Sequence, residues 1–472
     1  MSSSEALARR SPFTGLLDRR WSTPARIVAA LLAASVLFAA VRLSLGVTFG
    51  SDAYSYLVSA ARALHDGTFA HSSYDYTTPK PLELGVAALG HALGHALGVF
   101  GWLAALAYVG AVTAAAALAH RLGGGRAAVF ALPLATTLPA LVKEGLSADS
   151  TVPYAACAVG AAAIGAGRPA ASALLGVGGF LRPEAWGLAA VSAALGWRSS
   201  APRERLAAVG ATVVPPTFWF AFDAIASGDP LYAAHAIARY DAVSTHSVGL
   251  ASALGSLPAH WIGWPTLALG AAAVVAGLRR DPFDSAVAFP IAIAAGLALE
   301  LATGLIAPST LGRYATALAL FTAVGAAVSL AKLGRHARLA GAAAGVVLCV
   351  AFTVTADRHA TRIAAVRGRL ASALQTTIGP QARRAAPPGR IVATDRRWQG
   401  ALALYSGLAR TQIVPLDAVG RSVPTSRVRA AVVLRGADRV GFFPGLTFRG
   451  KVRAWVLYAA GSPTVADGST QP

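Results

Sequence analysis

The sequence predicts an all-α multi-pass membrane protein of about 10–11 apolar helices, broken and surface helices included, followed by a small C-terminal α/β domain. Three observations carry that reading. The 472 residues are 55% hydrophobic and only 13% charged, with mean hydropathy +0.55, too little charge to cover a soluble domain of this length. Alanine- and glycine-rich apolar stretches recur from residue 26 to about 356, many close to the ~20 residues that cross a hydrocarbon core. Beyond 357 this texture gives way to short β-branched runs. The expected division is a cytoplasmic tail over 1–25, a membrane module over 26–356 and an extracytoplasmic domain over 357–472.

A net charge of +20 would suggest a nucleic-acid partner in a soluble chain. Here the basic residues fall mainly in short connections between apolar runs, where positive-inside topology puts them. No nucleic acid is expected, and membrane lipids are. The two cysteines, Cys157 and Cys349, both lie inside apolar runs, which excludes a CxxC pair or a thiolate zinc site.

Arg9, Arg10, Arg19, Arg20 and Arg26 precede the first apolar run, Ile27 to about Val47, which lacks a clean cleavage site and reads as a retained helix with a cytoplasmic N-terminus. Next comes SDAYSYLVSAARAL (51–64), too polar to cross. Ala53, Tyr56, Leu57, Ala60, Ala61 and Leu64 recur at helical spacing, which suits a helix lying on the membrane surface. Asp52 stands at or just before its start, a natural capping position.

Charge alternation places HRLGGGR (120–126), GAGR (165–168), WRSSAPRER (197–205), LRRD (278–281) and AKLGRHAR (331–338) inside. The segment 50–83, KEGLSAD (143–149), the stretch around DAIASGDPLY (223–232) and APSTLGRY (307–314) then lie outside. Of the runs 82–99, 101–119 and 127–142, one must fail to cross. The expected one is 82–99, glycine-interrupted and carrying His91 and His95 at the i, i+4 spacing that can ligate metal, without a clear third ligand.

The run 171–197 has Arg182-Pro183-Glu184 at its middle and should break into two half-length helices there. Spans near 206–225, 262–278, 286–305, 313–331 and 338–356 follow and leave the C-terminus outside. Phe218, Trp219 and Phe220 either line a lipid groove or sit in an aromatic belt. An arginine-rich amphipathic helix is expected over 358–374 and a linker over 379–389. IVATD (391–395), a helical WQGALALYSG (398–407), TQIVPLD (411–417), VRAAVVLRG (428–436) and VRAWVLYAA (452–460) then build the α/β domain, which has no GxGxxG.

The order of these parts resembles the GT-C glycosyltransferases, multi-pass enzymes that use polyprenyl-phosphate-linked sugars. The resemblance rests on SDAYSYLVSAARAL (51–64), the proline entering the next run in TTPKPLE (77–83), VKEGLSADS (142–150), GGFLRPEAWGL (178–188), SGDPLY (227–232) and GRY (312–314). It covers most of 26–356 in layout. The family pattern usually has a second acid after Asp52, where this chain has Ala53, so a divalent metal is left open.

The resemblance implies an inverting glycosyltransferase of a bacterial inner membrane, moving a sugar from a polyprenyl-phosphate carrier to a glycan, lipid or protein acceptor outside. Asp52 would be the base that deprotonates the acceptor hydroxyl, its pKa raised toward neutrality by partial desolvation. Asp149 would hold the acceptor or a metal, or be a solvated loop residue, as Glu144 is expected to be. Lysine is rare, and two of the four, Lys80 and Lys143, lie in the acid-bearing connections. They either contact the donor phosphate or snorkel to the interface. Arg313 is the expected phosphate clamp, with Tyr314 adding a hydrogen bond or sitting in the aromatic belt. Arg182 and Glu184 are read as structural or cavity-lining. Two rival functions stay open: a transporter or flippase for lipid-linked glycans, and a non-catalytic binder of them.

Overall fold

The computed structural model describes residues 51–66, 80–235, 250–303, 311–333 and 374–385, and, further on, 391–394, 402–403, 406, 412–415, 428–434, 447–452 and 455–459. The expected first helix, the last span at 338–356 and all but the last residue of the amphipathic helix at 358–374 lie outside these residues.

The helices follow in order: α1 (Ser51–Asp66), α2 (Pro81–Ala92), α3 (Ala96–Thr136), α4 (Pro139–Leu146), α5 (Thr151–Ile164), α6 (Pro169–Gly179), α7 (Glu184–Gly196) and α8 (Pro202–Ser227). After them come α9 (Leu250–Ser256), which runs into a π-helical turn (Leu257–Ile262), then α10 (Trp264–Leu278), α11 (Ser285–Ala302), the single turn α12 (Leu311–Tyr314) and α13 (Thr316–Lys332). Helices α3, α8 and α11 are long and apolar enough to cross a membrane, and α5, α6, α10 and α13 are shorter apolar helices. The chain is a multi-pass membrane protein. Helix α13 is buried on nearly every side, with Ala317, Leu320, Phe321, Val324 and Ala327 packed into the main core. Its small residues allow the close approach that helix packing in lipid relies on.

Prolines punctuate the bundle, opening α2, α4, α6 and α8 in their first turn, where the missing N–H is no loss. The Arg182-Pro183-Glu184 break falls as expected: α6 ends at Gly179, Pro183 precedes α7, and the Arg182 N–H bonds the Gly178 carbonyl at 2.8 Å. The 82–99 run is not one weak span. It divides at Leu93–His95, and residues from Ala96 onward belong to α3. His91 therefore lies in the last turn of α2 and His95 in the break before α3, rather than on one helix face, and His91 Nε2 instead lies 2.7 Å from the Leu57 carbonyl, tying α2 to α1. Within α3 the basic connection is a kink, made at Gly124 with φ 72°, a conformation other residues adopt only under strain.

The C-terminal strands form one sheet of order β2-β1-β3-β5-β4, with β1 (Ile391–Thr394), β2 (Ile413–Pro415), β3 (Val428–Leu434), β4 (Thr447–Val452) and β5 (Trp455–Ala459). Strands β2, β1 and β3 are parallel, and β5 and β4 are antiparallel additions. Four of the five strands answer to the sequence runs; β4, whose TFRGKV carries two charges, does not. The expected linker is instead helical over Gly379–Ala385 (α14), because Ile378 and Ala382 are fully buried beside Val392, Ile413 and Ala430. That cluster continues into Tyr54, Tyr56 and Leu57 of α1. Burial between the sheet domain and α1 thus helps hold the helix that carries Asp52.

Candidate functional site

Four connections converge on one polar cluster. Helix α1 supplies Asp52, which lies inside the first turn rather than before it, where the helix dipole favours an acid. The approach to α2 supplies Lys80, in an extended conformation that Pro81 enforces on its predecessor. The α4–α5 connection supplies Asp149, and α12 supplies Arg313.

Asp149 is aimed by its neighbours. Ala148, at φ 52°, is the non-glycine residue of left-handed conformation among the described residues, and it is buried. Such backbone costs of order 1–3 kcal/mol and persists where the surroundings over-determine it. Asp149 Oδ1 accepts hydrogen bonds from the Thr151 N–H at 2.9 Å and from the Thr151 hydroxyl, a turn that leads into α5. Its Oδ2 is left for Arg313.

Arg313 joins the two aspartates. Its Nη2 donates to Asp52 Oδ2 at 2.5 Å and pairs with Asp149 Oδ2. The Asp149 side chain is buried, whereas Asp52 and Arg313 stay 29% and 28% exposed, enough for a ligand to reach them. Lys80, buried, donates to Ser150 Oγ at 2.5 Å and lies 3.9 Å from Glu83 Oε2.

The Arg182 break reaches the same cluster. Arg182 Nε and Nη2 donate to Glu184 Oε1 at 3.0 and 2.7 Å, and Nη1 donates to Thr151 Oγ1 at 2.8 Å, 4.0 Å from Asp149 Oδ1. Its guanidinium covers the Tyr314 ring at 4.2 Å, a favourable cation–π pairing. Leu82 N–H reaches the Phe180 carbonyl at 3.4 Å, anchoring α2 to the same break. Arg182 and Glu184 thus brace Asp149 and Tyr314 as well as ending a helix.

The electrostatics overturn one expectation. Burial alone would raise Asp52, but the Arg313 guanidinium and the Lys80 ammonium outweigh it and hold its carboxyl below the usual range. Asp149 behaves likewise: burial is outweighed by Arg313, Lys80 and Arg182. Without ligand, both aspartates are ionised and Asp52 is a weakened base. Glu144, expected to be solvated, is buried, and burial, then the Asp149 charge, push it up to about 7.

Lys143 faces outward, its ammonium 3.6 Å from the centre of the Trp261 ring. Among the described residues no group of three or more His, Cys, Asp or Glu side chains gathers to hold a metal ion. Sequence reasoning overlooked Ser150, Thr151 and Glu83. The first two follow Asp149 directly, and serine or threonine after an acid at a helix start is a readable signal.

Gly312 sets the height of Arg313. A Cβ there would fall 2.0 Å from Trp261 Cε2, so the ring lies directly against the α12 backbone. Gly312→Ala is expected to cost about 1–3 kcal/mol of stability through overpacking. Because the adjacent residue is Arg313, the displacement should also weaken binding of an anionic ligand. Thermal melting with tryptophan fluorescence checks it; an unchanged melt would mean the ring is free to move aside.

No family model matches this sequence, and no curated protein matches it. Solved structures do. ArnT from Cupriavidus metallidurans, bound to undecaprenyl phosphate, superposes with TM-score 0.62 at 16% identity, over 92% of this chain and 99% of ArnT. The oligosaccharyltransferase AglB from Archaeoglobus fulgidus, in complex with an inhibitory peptide and a dolichol-phosphate, superposes with TM-score 0.56 at 12% identity, over 86% of this chain and 69% of AglB. At these identities the likeness concerns fold. The chain shares the fold of ArnT and AglB.

Proposed function

We propose that this protein is an inverting glycosyltransferase that moves one sugar from a polyprenyl-phosphate carrier to a cell-envelope acceptor. The observation that carries the reading is the Arg313 bridge between Asp52 and Asp149, with Lys80 beside it. Two carboxylates and two cations meet on a fold whose relatives ArnT and AglB were captured with undecaprenyl phosphate and dolichol-phosphate. In this reading Asp52 is a base, which a transporter would not need.

The donor's phosphodiester is an anion, and Arg313 and Lys80 are the cations it would meet. Drawing Arg313 toward the phosphate relieves Asp52 of the charge that weakens it. Asp52 then takes the proton of the acceptor hydroxyl as that oxygen attacks the anomeric carbon. The bond from that carbon to the phosphate oxygen breaks, and polyprenyl phosphate leaves with the bonding pair. Such general-base help contributes typically ~10²–10⁴-fold. Asp149, fixed by Thr151 and Arg182, stays paired with Arg313 as that guanidinium turns from Asp52 to the phosphate.

The basic connections support an N-terminus in the cytoplasm, with the cluster and the C-terminal domain on the outer side of a bacterial inner membrane. The domain division at 25/26 and 356/357 belongs to the same proposal. Membranes containing the protein, given a panel of polyprenyl-phosphate sugars and native envelope acceptor, are expected to release free polyprenyl phosphate from one donor, read by mass spectrometry. No release from any donor would sink the transferase reading.

A further inference from the structure

One buried carboxyl of this cluster has no part in the mechanism above. Glu83 stands in the first turn of α2, three residues after Lys80, with its side chain only 8% exposed. Its Oε2 has no hydrogen-bond partner among the described residues. The Lys80 ammonium lies 3.9 Å away, beyond hydrogen-bond range. A buried polar atom without a partner is costly, and at a ligand site it is a place for the ligand to bond.

The charged and titratable groups around it come from every neighbouring element. Lys80 is on its own approach, Asp52 and Tyr56 are on α1, Asp149 is on the α4–α5 connection and Arg313 is on α12. Three carboxyls thus share the cleft with two cations, and Arg313 is already held by two of those carboxyls. A phosphodiester entering the cleft adds another negative charge. An ionised Glu83 would repel it, whereas a neutral carboxylic acid has an O–H to give.

We propose that Glu83 is a further ligand-contacting residue, a neutral acid donating its O–H to a non-bridging oxygen of the lipid-linked phosphodiester beside Lys80; this rests on the donor proposed above. The proton stays on Glu83, and no bond to carbon or phosphorus changes there. Burial first, opposed by Lys80 and reinforced by Asp149 and Asp52, pushes Glu83 up to about 8. The group is therefore mostly protonated at neutral pH, and the anion would raise it further. Affinity that needs this proton is present below that value and lost above it.

The test uses the full chain in lipid nanodiscs and undecaprenyl methyl phosphate, a diester with a fixed single charge. Its affinity is measured from about pH 6 to about pH 9.5. In the wild type, binding should hold to near neutrality and then fall, approaching tenfold per pH unit in the alkaline range. Glu83→Gln keeps an N–H donor of similar shape and cannot titrate. It should bind within about threefold of the wild type at pH 7 and lose the alkaline decline. Glu83→Ala should bind about tenfold or more weakly at pH 7, the loss of one hydrogen bond to a charged group. Any decline owed to Lys80 persists in Glu83→Gln and is separated by it.

An alkaline decline in Glu83→Gln matching the wild type would overturn the proposal. So would Glu83→Gln binding as weakly as Glu83→Ala, or Glu83→Ala binding as tightly as the wild type. A wild type that binds no diester at any pH would remove the donor assignment itself, and this inference with it.

Discussion

Asp52→Asn is expected to lower turnover by ~10²–10⁴-fold, the usual contribution of a general base, while leaving the protein folded. The two side chains share a shape, so α1 keeps its packing of Ala53, Tyr56 and Leu57 against the neighbouring core. Arg313 loses one of its two carboxylates but keeps Asp149. What disappears is the carboxylate, the group of residue 52 able to take a proton. The kinetic signature distinguishes this from general damage. Removing a negative charge beside Arg313 leaves that cation freer for an anion, so donor affinity should be unchanged or tighter as kcat falls. A lowered kcat with unweakened donor binding marks an interaction made in the transition state. Radiolabelled sugar transfer, with donor binding measured on the same preparation, reads both quantities. Full turnover in the variant would remove Asp52 from the mechanism, and donor binding lost in parallel with kcat would make its role structural.

The parts of this arrangement that were legible in the sequence are those with local signals. The Arg182-Pro183-Glu184 break follows from what proline does to the helix before it, and four strands of the small sheet follow from β-branched runs. The candidate residues Asp52, Asp149 and Arg313 were reached through the order of short motifs, and the structure brings their charged groups together. The consequence of that meeting was not legible. Arg313 and Asp52 are 261 positions apart, and no local pattern reports that a distant guanidinium will reverse the effect of burial on a carboxyl. Glu83 and Glu144 were obscure for a related reason. A glutamate near a proline or a lysine reads as solvated unless the fold over it is known, and both are buried. The 82–99 run misled because glycine-rich apolar sequence is equally compatible with one weak span and with two helices meeting at a turn.

Arg313→Ala carries the second large effect, and here the sign matters. In the wild type the folded-state values of Asp52 and Asp149 are depressed, because Arg313 outweighs burial. Their pairing therefore stabilises the protein above the usual carboxylate range, and the benefit is lost only as pH falls through those depressed values. Without the guanidinium the desolvation of both carboxylates is less opposed, and their values should rise. Truncating one member of a buried ion pair typically costs about 3–5 kcal/mol. The partial exposure of Asp52 and Arg313 puts the expectation at the lower end of that range. The deficit should be largest at neutral and alkaline pH and should shrink on mild acidification, as the stranded carboxylates take up protons. Donor affinity should fall in parallel, by about 30-fold or more, since a charged contact to the phosphate is removed. Arg313→Ala in an Asp52→Asn background should lose less stability than in the wild type, because one of the two carboxylates it would strand is already neutral. Melting curves in detergent across pH, with diester binding on the same samples, test each of these. A stability deficit independent of pH would mean that Arg313 supports the fold by packing alone, and unchanged donor affinity would take it out of the phosphate site.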